Sequence, residues 1–134
     1  IALPEGGTAA LSAGGTRNVA AYEAFLKGNQ RLWTRQVEDM RAAGDLFKQA
    51  HALDPGYVQA ETMALVAELL IASNTVGLAP AESKRFLAAY DDILRREPRL
   101  AEAYIARGNV RGRLGDSLGS LADLVEVIES WKVD

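Results

Sequence analysis

The sequence predicts an all-α fold: six helices in three antiparallel pairs, stacked as an α-solenoid. Three observations carry this. From Asn18 onward, apolar residues recur at spacings of three and four, the period of a helix with one buried face. No stretch shows the strict alternation and β-branched content of a strand. The pattern of one helix and of the turn that follows it returns further along the chain.

Residues 1–16 stand apart. Gly6, Gly7, Gly14 and Gly15 lie among Ala, Ser and Thr, with Pro4 near the start, so the stretch reads as a flexible linker or N-terminal tail with one short turn around Ala9–Ala13. These glycines follow no strand and are not read as a phosphate loop.

The helical repeat domain is expected over 17–134, in pairs of about 17–55, 56–98 and 99–132. In the first helix, Val19, Tyr22, Phe25, Leu26, Leu32 and Trp33 share a face. The second carries Met40, Ala43, Leu46, Phe47, Ala50 and Leu53. Asp54-Pro55-Gly56 ends it, because proline cannot continue the hydrogen-bond ladder and disfavours helical geometry in the residue before it. The third, about 58–73, is apolar on nearly every side from Met63 on, as suits a helix in the middle of a stack.

A loop at 74–80 follows, with Gly77 and Pro80 as breakers and Pro80 suited to the first turn of a helix. The fourth helix holds Phe86, Leu87, Tyr90, Ile93 and Leu94 and stops before Pro98. The fifth runs over about 100–114 to a turn at Gly115-Asp116. The sixth shows Leu118, Leu121, Leu124, Val125, Ile128 and Trp131.

The repeat decides the architecture. Ala43, Phe47, Ala50 and Pro55 match Phe86, Tyr90, Ile93 and Pro98 with the same internal spacings, at an offset of 43 residues. Asp54 matches Glu97, Tyr57 matches Leu100, and Ala60 matches Ala103. Ser120, Leu124 and Val127 carry a trace of the same pattern. A period of this length built from helix pairs signals a stack in which each pair buries its apolar face on the next.

Composition narrows the function. With 49% hydrophobic and 25% charged residues in 134, the chain can bury a core as one soluble domain. A net charge of −3 argues against nucleic acid, which needs a basic surface. The absence of cysteine removes disulfides, thiolate metal sites and cysteine nucleophiles. No apolar run approaches the roughly 20 residues of a membrane span. The chain begins at Ile1 and is read as a piece of something longer.

The residues Ala43, Leu46-Phe47-Lys48-Gln49-Ala50, Leu53-Asp54-Pro55 and, later, Ala103-Tyr104, Gly108 and Leu114-Gly115-Asp116 resemble tetratricopeptide repeats, over roughly 18–131. The resemblance implies a right-handed solenoid that binds other proteins. More narrowly, the run from Gly15 to Gly28, with Asp54-Pro55-Gly56-Tyr57, is similar to repeat regions of multidomain bacterial regulators linked to a cyclase or winged-helix domain. That likeness implies an interdomain linker at 1–16 and a cytoplasmic location. Two departures stand out: the 43-residue offset exceeds the family's usual 34, and Arg107 and Arg111 fall where the family packs large apolar side chains. Their stems are expected to cover apolar surface while their guanidinium groups reach water.

Catalytic chemistry is not expected. His51 is the only histidine, which rules out a histidine pair for a metal, and it reads as a surface residue. Glu38-Asp39 and Asp91-Asp92 are adjacent carboxylates, but neighbouring helical positions point in different directions. No metal and no cofactor are expected. Between Arg95 and Arg113 six arginines stand against Glu97 and Glu102, read either as solvated, salt-bridged faces or as a patch for an acidic partner segment.

The expected function is protein–protein interaction, with a protein or peptide as partner and no nucleic acid or membrane. By analogy with stacks of this kind, the first helix of each pair lines a concave groove. That groove would carry Tyr22, Phe25 and Asn29, then Gln59, Thr62 and Val66, then Glu102, Ile105, Asn109 and Arg113. It would take an extended or helical peptide, or a neighbouring domain. The second expectation is self-association as a homodimer. Leu124, Ile128 and Trp131 form an uncapped edge on the last helix, which a second copy would cover.

Overall fold

Two of the helices begin at a side-chain cap and one at a proline. The computed structural model describes residues 14–131, and among these six helices and no strand are found. They are α1 (Val19–Leu32), α2 (Val37–Leu53), α3 (Val58–Asn74), α4 (Pro80–Arg96), α5 (Ala101–Arg113) and α6 (Ser117–Ser130). Asn18 caps α1: its side-chain oxygen accepts from the Ala21 N–H at 3.0 Å, and its amide donates to the Leu53 carbonyl at the end of α2. Pro80 opens α4, where a missing N–H costs nothing. Asp116 caps α6 by accepting from the Gly119 N–H at 2.9 Å.

The chain divides into two compact units between Gly77 and Leu78, inside the loop read from the sequence. In the first, α1 packs on α2 and α2 on α3; in the second, α4 packs on α5 and α5 on α6.

The first unit closes around small residues. Ala21, Ala24, Ala50, Tyr57 and Ala60 form one buried cluster, and Ala43, Phe47 and Ala67 another. Phe25 touches both, with its ring 5.4 Å from Phe47 and 5.2 Å from Tyr57. Gly28 lies directly on the Phe47 ring, so α1 and α2 approach closely there. This corrects the face expected for α1. Ala21, Ala24 and Gly28 point inward, whereas Val19 and Trp33 are exposed.

The stretch read as linker is described only at its last residues. The turn expected around Ala9–Ala13 lies outside the described residues. Gly14 and Thr16 are buried. The Gly14 carbonyl accepts from the Gln59 N–H at 2.9 Å, and the Thr16 hydroxyl donates to the Asp54 carboxylate. Asp54 also accepts from the Gly56 N–H, so one side chain fixes both the α2–α3 turn and the chain entering α1.

The sequence repeat is present in the backbone. Asp54 and Glu97 leave α2 and α4 with nearly the same geometry (φ −142°, ψ 96° and φ −139°, ψ 81°). Each donates its N–H to a helix carbonyl, from Ala50 or Ile93, and each carbonyl then accepts from Tyr57 or Leu100. Ala43, Phe47, Ala50, Tyr57 and Ala60 are buried, as are their counterparts Phe86, Tyr90, Ile93, Leu100 and Ala103.

Candidate interaction surface

The last helix pair breaks the usual rule of amphipathic packing. On α5, Gly108 and Gly112 sit one turn apart and face α6. A Cβ on Gly108 would stand 3.2 Å from the Asp123 Cβ, and one on Gly112 3.5 Å from the Ser120 hydroxyl. The helices therefore meet through small groups. The residues of α6 turned inward are Ser120, Asp123 and Val127, and Asp123 is only 1% exposed.

A buried carboxylate requires partners, and α5 supplies two. Arg107 donates to Asp123 through Nη2 at 2.7 Å and through Nε, and Arg111 reaches the other oxygen at 3.1 Å. Arg107 also donates to Asp91 on α4 at 2.9 Å, so one guanidinium ties three helices together. Burial works against the Arg107 charge, but its hydrogen bonds to Asp123 and Asp91 outweigh that and raise its pKa. The expectation that Arg107 and Arg111 extend into water is thus corrected: their charged ends turn inward to a carboxylate. Asp91 and its neighbour Asp92 do point different ways, since Asp92 pairs with Arg95 and Arg96. Four of the six arginines between 95 and 113 are therefore engaged within the second unit, and Arg113 donates to Asn109 at 2.9 Å.

With its polar side inward, α6 presents its large apolar side chains outward. Leu118, Leu121, Val125 and Ile128 recur at spacings of three, four and three on the side opposite Asp123, with Leu124 and Trp131 along one flank. All six are between 45% and 81% exposed. The trace of the repeat at Ser120, Leu124 and Val127 is corrected at one position: the residue packed inward is Asp123, and Leu124 faces out.

The other candidate residues fall in various places. Thr62 is fully buried and donates its hydroxyl to the Val58 carbonyl, and Phe25 is spent on the ring cluster. Tyr22, Asn29, Gln59 and Val66 are half-buried in the first unit. In the second, Ile105, Asn109 and Arg113 are exposed. Glu102 is half-buried, with one carboxylate oxygen enclosed and unpartnered, and burial raises its pKa against a hydrogen bond from its own backbone. His51 lies beside Glu61 at 3.7 Å and the Pro55 carbonyl at 3.1 Å.

Sequence reasoning missed the inward carboxylate. The signal was available in Gly108 and Gly112 beside Arg107 and Arg111, two small gaps next to two cations one turn apart. Among the described residues no cluster of metal-binding side chains occurs, and no helix is long and apolar enough to cross a membrane. No family model, no curated protein and no solved structure matches this chain.

Proposed function

We propose that this chain is a protein-interaction module of helical-repeat build, acting through contact rather than catalysis. One observation carries the reading: α6 buries a carboxylate and displays six large apolar side chains. Covering such a side chain contributes about 1.5–3 kcal/mol, so a helix that leaves six in water gives up much of what it could gain. The arrangement makes physical sense when another polypeptide covers that face. Two features hold α6 in this orientation: the glycine contacts of α5 admit only small groups, and Asp123 is clasped by two arginines.

The repeated α2–α3 and α4–α5 turns support the likeness to tetratricopeptide repeats. In this reading the module serves a larger cytoplasmic regulator. Peptide capture in a concave groove has less support, because Thr62 and Phe25 are committed to the packing of the first unit.

The test is the double variant Leu121→Gln/Val125→Gln, unfolded in urea at low protein concentration. A docking face contributes little to the isolated fold, so stability should stay within about 0.5 kcal/mol of the parent. A loss of the 2–5 kcal/mol typical of core truncation would make the strip internal core and sink the reading.

A further inference from the structure

We infer that the occupant of the α6 face is a second copy of this chain, paired antiparallel about a two-fold axis midway between Leu121 and Val125. This rests on the reading of that face as a docking surface and names its partner. Three observations lead to it.

The first is periodicity. Leu118, Leu121, Val125 and Ile128 follow the three-four-three spacing that lets two helices interlock along a seam. The seam is close to symmetric about its middle. Reversing the helix sets Leu118 against Ile128 and Leu121 against Val125, so each large residue meets another across the axis.

The second is charge. The exposed charges along α6 are Glu126 and Glu129, both in its C-terminal half, while at its N-terminus the exposed Arg113 and Asp116 offset each other. Parallel pairing would set acid beside acid. Antiparallel pairing sets the acidic end of each copy beside the neutral end of the other and opposes the helix dipoles.

The third is size. Taking about 100 Å² from each of six side chains, each copy offers roughly 600 Å², or about 1,200 Å² for the pair, the lower bound of stable specific interfaces. A dimer of micromolar affinity is expected.

The chain has no cysteine, so introduced thiols report the geometry directly. The pair Leu121→Cys/Val125→Cys sets each thiol against the other position on the facing copy, within disulfide reach, and should give a cross-linked dimer under mild oxidation. In Leu118→Cys the two thiols stand about 15 Å apart along the helices, and no cross-link should form. Molar mass by light scattering, from about 1 to 500 μM, should rise from one chain to two for the unmodified protein. Leu121→Arg should weaken the dimer by more than about thirtyfold, with Ile128→Arg as a second variant and circular dichroism confirming that both fold.

Several results would overturn the inference: a monomer at every concentration, a dimer indifferent to both arginine variants, or cross-linking of Leu118→Cys as readily as Leu121→Cys/Val125→Cys. A monomer whose Leu121→Gln/Val125→Gln variant keeps full stability would leave the docking surface standing, with a different polypeptide as its occupant. A monomer destabilised by that double substitution would remove both proposals.

Discussion

Arg107 and Asp123 form the tightest charged contact between α5 and α6, with Nη2 and Oδ1 2.7 Å apart and the carboxylate almost wholly enclosed. Such a pair adds little net stability relative to a well-packed apolar pair, yet losing one member is expensive. Asp123→Ala would leave Arg107 and Arg111 facing each other across a gap with no anion between them. Both cations retain some solvent contact, so the cost should fall near the lower end of the usual range, about 3 kcal/mol. Urea denaturation of the single variant and of Arg107→Met/Asp123→Leu separates the terms. The double variant should recover part of the loss, limited by the narrow space beside Gly108.

Two glycines in the first unit should respond oppositely to alanine. At Gly28 a Cβ would lie 2.8 Å from the Phe47 ring, and that ring is fully buried with no room to retreat. Gly28→Ala should cost about 1–3 kcal/mol by overpacking. At Gly44 the nearest group is the Ala67 Cβ at 3.6 Å, an ordinary contact. There alanine should stabilise by about 0.5–1 kcal/mol through its helix propensity. Thermal unfolding of the two variants is the comparison to make.

These residues also indicate what was legible in advance. Helix number, the Asp54 and Glu97 turns and the buried set around Phe47 and Tyr90 followed from spacing and proline, because local chemistry dictates them. The inward faces of α1 and α6 did not. Reading by hydrophobicity assigns the core to the largest apolar residues, yet close helix approach favours Ala and Gly, as at Ala21, Ala24, Gly28, Gly108 and Gly112. On α6 the repeat trace aligns Leu124 with buried positions of the earlier helices, while the expected outer edge also includes it. A carboxylate one residue earlier takes the buried position, because the arginines it meets are sixteen and twelve residues away in sequence.

Glu102 sets a pH dependence. Burial raises its pKa, so the folded chain binds this proton more tightly than the unfolded one. The stabilising contribution is full below the unfolded value and is lost as pH rises through the folded one. Glu102→Gln should therefore be more stable than the parent at neutral pH, and the difference should shrink as pH falls toward the ordinary carboxylate range. Urea midpoints at pH 4 and pH 7 read the sign. Equal spacing of the two proteins at both values would contradict it.

The cap of α6 should matter more for assembly than for the fold. Asp116 accepts from the Gly119 N–H, and a Cβ on Gly119 would collide with its carboxylate. Asp116→Ala should cost about 1 kcal/mol, and Gly119→Ala should reproduce the loss by displacing the cap. Both act on the first turn of α6, where Leu118 is the most exposed residue of the apolar strip. Fraying there removes one end of the seam, and in a two-fold pair the same defect occurs twice. Each variant should thus weaken the dimer by about thirtyfold, since the ~1 kcal/mol lost by the monomer counts once for each copy, a ratio of about two. Measuring unfolding and concentration-dependent mass on the same samples gives that ratio. A ratio near zero would place the first turn of α6 outside the contact.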